Sequence, residues 1–195
     1  MENHEKQHFY ALLARQKHIR RWSLMRSATE ETVAEHAIMT AYLAHALALI
    51  ARDILHKEVN PEACVLHAMY HDCAEIFTGD LPTPVKYWSP GIRQAYREVE
   101  EHATERLLSF LPDEMRPALA EALREPEGEE GRIVSAADKL SAHIKCLEEL
   151  RQGNSEFRLA AQQTLAKLKE LNLPEINYFM THFLPSFSLT LDELE

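Results

Sequence analysis

The sequence predicts an all-α fold of about eight helices, and three features of the chain lead there. Apolar residues, 46% of the chain, recur at helical spacing through most of its length. Glycine occurs only five times, and no alternating run of strand type is found. Leu, Ala and Glu, all good helix formers, fill the segments between the breaks. A length of 195 residues fits one domain, residues 1–195, with a sizeable core.

Residues 5–19 read as a helix with Phe9, Leu12, Leu13 and Ile19 on one side, and "RRWSLMRSATEE" as irregular. Thr32 to Glu35 has the form of a capping box, which starts a helix at Val33 and puts His36 in its first turn. The following "AIMTAYLAHALALIARDIL" is apolar around most of its circumference, the mark of a central helix. Asn60-Pro61 supplies an N-cap residue and a proline at the first helical position. The helix it opens sets Leu66, Met69, Tyr70, Cys73 and Phe77 along one stripe and ends near Thr78-Gly79, where glycine can take a left-handed cap. "DLPTPVKYWSPG", with three prolines, reads as a rigid loop.

Residues 92–110 and 113–124 then read as helices with exposed Glu and Arg, and "EPEGEEG" as a polar loop. A helix over 131–150 carries Ile133, Ala137, Leu140, Ile144 and Leu147 on one stripe, with Asp138 at its edge. After the turn-like "RQGNS", residues 155–172 form a further helix, and "EINYFMTHFL" a short last one that ends at Pro185. The tail "NYFMTHFLPSF" suits a docking or dimer segment better than an active-site element.

The net charge of −10 argues against binding of nucleic-acid polymers, whose affinity comes from phosphate neutralisation by Lys and Arg. Between Lys6 and Thr29 there is no acidic residue, while Lys6, Arg15, Lys17, Arg20, Arg21 and Arg26 all fall there. Either a small anionic ligand is met at this segment, or a basic solvated face pairs with acidic helices elsewhere. No uninterrupted apolar run reaches the roughly 18 residues of a membrane span, and "MENHEKQHFY" lacks a signal pattern. A cytoplasmic protein without a membrane partner is expected. Cys64, Cys73 and Cys146, odd in number and outside any C-x-x-C spacing, read as buried free thiols.

The chemistry concentrates in "HAMYHDCAEIFTGDLPTP", residues 67 to 84. In a helix His71 and Glu75 share a face one turn apart, and so do Asp72 and Glu75. His71 and Asp72, though neighbours, can both reach one ion from the edge of a stripe. Burying them without partners costs several kcal/mol, and a divalent cation is one remedy; hydrogen bonding or exposure is the other. The dipeptide alone decides nothing. Together with His36 upstream and Asp138 downstream it gives the order H…HD…D, with Ser135, Ala136 and Ala137 leaving room beside Asp138. Taken singly, His36 reads as a core or capping residue, Asp138 as a surface carboxylate and Trp22 as a core anchor. His67, His45, His143 and His182 are assigned to packing.

The order H…HD…D resembles the metal signature of the HD-domain phosphohydrolases, an all-α helical-bundle fold. "RRWSLMR", "AEHA", "AMYHDCAEIFTGDLPTPVKY", "KCLEEL…GNSEF" and "YFMTHFLPSFSLTLDE" narrow the resemblance to the bacterial HD-domain 5'-deoxynucleotidases of the YfbR type, from near residue 7 to the C-terminus. The resemblance implies hydrolysis of deoxyribonucleoside 5'-monophosphates to deoxynucleoside and phosphate by a homodimer. It implies one divalent ion on His36, His71, Asp72 and Asp138, with His36, Asp72 and Asp138 also beside the substrate. By the same correspondence Arg21 and Trp22 contact the nucleotide, Arg21 orients the phosphate, Glu75 is the catalytic carboxylate, and Asp80, Leu81, Pro82 and Thr83 line the nucleotide site. One departure is visible: Ala34 stands before "EH" where the family pattern leads one to expect Ser.

Two imidazoles and two carboxylates leave room on a six-coordinate ion for water and a phosphate oxygen. Such a mixed set suits Co, Mn, Fe or Ni better than a structural zinc; Co2+ is the expected ion, with Mn2+ or another transition ion as alternatives. Two other functions remain to be weighed: an HD phosphohydrolase acting on another nucleotide, and a catalytically silent HD protein that binds nucleotide. The short basic segment disfavours triphosphates, and the presence of all four ligands with Glu75 and Arg21 disfavours the silent protein.

Overall fold

The computed structural model describes residues 7–86, 88–124 and 126–195, and at Thr83 the backbone alone. Lys6 and Tyr87 therefore lie outside the described residues. All regular structure among those described is helical: α1 (Phe9–Leu13), α2 (Val33–Leu49), α3 (Pro61–Tyr70), α4 (Glu75–Thr78), α5 (Thr83–Lys86), α6 (Pro90–Leu108), α7 (Arg116–Leu123), α8 (Gly128–Arg151), α9 (Arg158–Leu171) and α10 (Pro174–His182). The all-α expectation holds. An isolated antiparallel bridge joins Arg20 to Thr32.

The described residues gather into two compact units. The first takes in residues up to Met25, Glu30–Ala37 and Tyr70–Arg124; the second takes in Arg26–Thr29, Ile38–Met69 and the residues from 126 onward. In the first unit Phe9, Cys73, Leu107 and Leu111 form a buried core, flanked by Leu12, Leu13, Tyr70 and Ile76. The helix expected over 5–19 is shorter: α1 tightens at Ala14 into a 3-10 segment through His18, and Ile19 leaves it in an extended conformation. The capping box forms as expected. Glu35 Oε2 accepts from Thr32 N at 2.7 Å, Thr32 Oγ1 accepts from Glu35 N at 3.3 Å, and α2 begins at Val33.

In the second unit, Ala41, Ala44, Leu47 and Ala48 of α2 pack with Cys64 and Ala68 of α3 and with Ile133, Ala137, Leu140 and Ile144 of α8. Each buried Leu or Ile there contributes about 2 kcal/mol. The central-helix expectation for α2 needs correction, because Ile38 and Tyr42 are 45% and 67% exposed. Val33–Ile54 runs as long as the sequence reading has it, from Val33 through the apolar stretch that ends at Leu55. With 22 residues, mean hydropathy 1.4 and 56% buried, it passes for a membrane span by length and composition, while its buried face belongs to the core of the second unit.

The helix expected from Pro61 to Gly79 starts where predicted, with Asn60 Oδ1 accepting from Ala63 N at 3.0 Å, but it breaks at Tyr70. Bonds from Cys73 N to Tyr70 O, Glu75 N to Asp72 O and Ile76 N to Cys73 O span three residues, so His71–Ala74 is a tightened turn and α4 is a separate single turn. The expected stripe is thereby split. Tyr70 and Cys73 join the core of the first unit, whereas Leu66, Met69 and Phe77 are exposed. Gly79 has φ 70° and ψ 168°, an extended conformation reserved for glycine rather than the expected left-handed cap. The expected loop after it contains the single turn α5, and α8 begins at Gly128 inside the expected polar loop. A Cβ on Gly131 would sit 2.1 Å from Pro126 O, so only glycine permits this entry into α8.

Candidate active site

His36, fully buried in the first turn of α2, and His71, in the turn after α3, bring their rings to 5.3 Å between centroids in the first unit. A ring nitrogen of each lies within 4.8 Å of the other. Asp72 Oδ2 stands between them, 3.1 Å from His71 Nε2 and 3.7 Å from His36 Nε2. Burial alone would raise the Asp72 carboxyl, but His71, His36 and Arg21 together hold it well below the usual carboxylate range. Gln16, buried in the 3-10 segment, reaches the Asp72 carbonyl with Nε2 at 3.4 Å. Two imidazole nitrogens and an ionised carboxylate oxygen this close form a donor set that fits a divalent transition ion. Asp138 lies on α8 in the second unit, half-buried beside the buried Ala136 and Ala137.

Arg21 and Trp22 are placed by a chain reversal in the first unit. Val33 N donates to Ile19 O at 2.9 Å, Arg20 pairs with Thr32, and Arg21 N donates to Glu31 O at 2.9 Å. The Arg21 guanidinium donates through Nε to Glu31 Oε2 at 3.2 Å and through Nη1 to Asp72 Oδ2 at 3.5 Å. Trp22 Nε1 donates to the same Glu31 oxygen at 2.8 Å. Trp22 is also one of the non-glycine residues with positive φ, 57°, which is costly for an aromatic side chain.

Glu75, the buried first residue of α4, has an Oε2 with no hydrogen-bond partner among the described residues. Burial, helped by the charges of Asp72 and Asp80, pushes its carboxyl up to about 9 against the pull of Arg21 and His71. Burial raises Asp80 as well, opposed by Arg21 and by the Trp22 backbone N–H that bonds it. Leu81 and Pro82 are half-buried in the turn into α5, and the Thr83 side chain lies outside what is described.

Arg20, Arg21 and Arg26 of the basic segment are paired. Arg20 meets Glu30 at 3.0 Å and Arg26 meets Glu156 at 2.8 Å, both arginines exposed but outside any helix, while Arg21 is drawn inside against carboxylates. His143 is buried and hydrogen-bonded to Thr164 Oγ1 at 2.9 Å, a packing role. His45 and His182 are exposed, and His67 is half-buried on α3. Cys64, Cys73 and Cys146 are free and buried, and burial pushes the Cys64 and Cys73 thiols up to about 12. Sequence reasoning missed Glu31 and Gln16. The doublets Arg20-Arg21 and Glu30-Glu31, of opposite charge on either side of a turn-rich stretch, were the available signal for Glu31.

The chain matches the family model described as 5'-deoxynucleotidase YfbR-like over residues 8–187. A 5'-deoxynucleotidase of Vibrio parahaemolyticus is 48% identical over 189 residues, covering 96% of this chain and 97% of that protein. The crystal structure of an HD-domain phosphohydrolase from Listeria innocua superposes with a TM-score of 0.81 at 28% identity, covering 92% of this chain and 87% of that one. A cyanophage S-2L HD phosphohydrolase, solved with dA and one catalytic Zn2+ ion, shares the fold at a TM-score of 0.62 and 21% identity, over 92% of this chain and 96% of that one. The arrangement of two imidazoles around Asp72 thus sits in an HD-type fold, and the chain belongs to the YfbR-like 5'-deoxynucleotidase family.

Proposed function

We infer that this protein is a metal-dependent 5'-deoxynucleotidase that hydrolyses deoxyribonucleoside 5'-monophosphates to deoxynucleoside and phosphate, with residues 1–195 acting as one HD-type domain. The observation that carries it is the Asp72 carboxylate, set between His36 and His71 and beside the Arg21 guanidinium, in a chain of this family. We assign His36, His71 and Asp72 as metal ligands, and Asp138 as the fourth by its place in the order H…HD…D. When bound, the divalent ion offsets phosphate charge and acidifies a water. The mixed nitrogen and oxygen donors favour Co2+ or Mn2+. Arg21 grips the phosphate through its fork, Trp22 packs on the sugar, and Asp80, Leu81, Pro82 and Thr83 border the nucleoside. Water oxygen bonds to phosphorus as the P–O5' bond breaks, and the water's proton ends on the departing 5'-oxygen. Glu75 serves that transfer. Its raised carboxyl suits it to delivering the proton.

Phosphate release from a panel of deoxy- and ribonucleotides with added Co2+, Mn2+ or Mg2+ tests this reading. Turnover confined to 5'-monophosphates supports it; turnover of triphosphates, or nucleotide binding without turnover, replaces it with one of the two alternatives. We propose further that the enzyme is a cytoplasmic homodimer. The free thiols accord with a reducing compartment. Ile38, Tyr42, Leu66 and Met69, exposed around a groove of about 420 Å³ in the second unit, offer an apolar face to a second copy. Light scattering reads the mass, and a monomer at micromolar concentration would remove the dimer.

A further inference from the structure

We propose that Glu31 is a positioning residue for nucleotide recognition, its single Oε2 oxygen holding the Arg21 fork and the Trp22 indole in fixed register. The proposal deepens the nucleotidase reading and rests on its assignment of Arg21 and Trp22 to the substrate. Three bonds bind Glu31 to the pair: Arg21 Nε at 3.2 Å and Trp22 Nε1 at 2.8 Å on Oε2, and Arg21 N on its carbonyl at 2.9 Å. The side chains of Arg21 and Glu31 are only 13% and 12% exposed, so this carboxylate is not a solvated surface group. The bonds from Nε to Glu31 and from Nη1 to Asp72 fix the plane of the guanidinium, whose planar shape suits a phosphate.

Trp22 needs such a clamp. At φ 57° its backbone occupies a conformation that an aromatic residue rarely holds, and a residue kept there is over-determined by its surroundings. Its carbonyl accepts from Met25 N at 2.8 Å, which closes the turn, while the indole N–H on Glu31 sets the direction of the ring. One carboxylate oxygen thereby couples the group assigned to the phosphate with the group assigned to the sugar. Their spacing is fixed before the nucleotide arrives, and substrate need not order them.

The test uses the full chain with Trp88→Phe, which leaves Trp22 as the sole tryptophan; Trp88 is 78% exposed and its loss is mild. Glu31→Ala should shift Trp22 emission to the red and raise its quenching by acrylamide. It should also lower kcat/KM for dAMP by roughly tenfold or more, chiefly through KM. p-Nitrophenyl phosphate, which lacks a sugar, should lose less. Glu31→Gln keeps an oxygen acceptor and should recover most of the emission and the KM. Wild-type emission and KM in Glu31→Ala overturn the proposal, and so does an equal loss on both substrates that follows melting temperature and is not rescued by Gln. Absence of dAMP turnover in the wild type would instead strike the nucleotidase reading. The emission arm and dAMP quenching of Trp22 would then still decide whether Glu31 sets the indole for nucleotide.

Discussion

His71 Nε2 and Asp72 Oδ2 lie 3.1 Å apart although the two residues are consecutive in the chain. On a regular helix successive side chains diverge by about 100°. The break after Tyr70 removes that constraint: His71 and Asp72 sit in a turn tightened by three-residue hydrogen bonds, and the carboxylate can face both imidazoles. It also receives the Arg21 guanidinium at 3.5 Å, so it is the group on which the proposed metal and phosphate functions meet.

Asp72→Ala should therefore lose both metal and turnover. The substitution removes an anionic ligand without opening a large apolar void, so circular dichroism should remain close to wild type. Metal affinity should fall by about 10² or more, beyond what loss of an outer partner of a ligand costs. Elemental analysis decides the matter: full metal occupancy in active Asp72→Ala protein would remove the ligand assignment.

What the sequence made legible follows the range of the interaction responsible. The starts of α2 and α3 could be read because Thr32 with Glu35, and Asn60 with Ala63, are bonds within one turn. The break at Tyr70 could not. No proline or glycine marks it, and it is settled by where distant residues draw Tyr70 and Cys73, into the core beside Phe9 and Leu107. Likewise His36, His71 and Asp72 could be listed from their order alone, whereas the role of Glu31 depends on the chain reversal that brings residues 20 and 32 together. Asp80 was named by resemblance, and its bond from the Trp22 backbone is visible only in three dimensions.

Glu75→Gln should retain the metal and lose rate, by roughly 10² or more for a group that moves a proton in the transition state. In the metal-free protein the carboxyl of Glu75, pushed up to about 9 by burial, keeps its proton through neutral pH. As a proton donor it gives kcat a descending alkaline limb, and a bound cation pulls that limb below the value of the metal-free protein. The pH profile of kcat in wild type and Glu75→Gln measures this. An acidic limb that vanishes in Glu75→Gln would assign the residue to the attacking water instead.

Glu149 should make the second unit sensitive to acid. Fully buried on α8, it accepts from Ala28 N at 2.7 Å, Thr29 N at 3.1 Å and Asn154 Nδ2 at 2.7 Å, and pairs with Lys145. Burial alone would raise its carboxyl, but these donors, Lys145 first, lower it from 4.5 to about 2. A carboxyl lowered on folding contributes stability that is complete above its unfolded value. That contribution is lost as pH falls from 4.5 towards 2. Glu149→Gln should be less stable at neutral pH and show a flatter fall in Tm between about pH 5 and 3. An unchanged slope would place the acid sensitivity on other carboxylates.

Arg21 and Trp22 should divide recognition between phosphate and sugar. Arg21→Lys keeps the charge but loses the planar fork and the Nε–H that meets Glu31 at 3.2 Å, so kcat/KM should fall about tenfold or more on every 5'-monophosphate. Trp22, with its ring direction set by the bond from Nε1 to Glu31, offers a rigid wall to the sugar. A 2'-hydroxyl pressed on that wall is crowded and left without a hydrogen-bond partner, a penalty of about 1 to 3 kcal/mol. Trp22→Ala should therefore reduce activity on dAMP through lost packing while narrowing the gap between dAMP and AMP. The ratio of kcat/KM for the two nucleotides is the measurement. An equal loss on both would mean that the wall does not read the sugar, and would move discrimination of the 2'-position to the segment from Asp80 to Thr83.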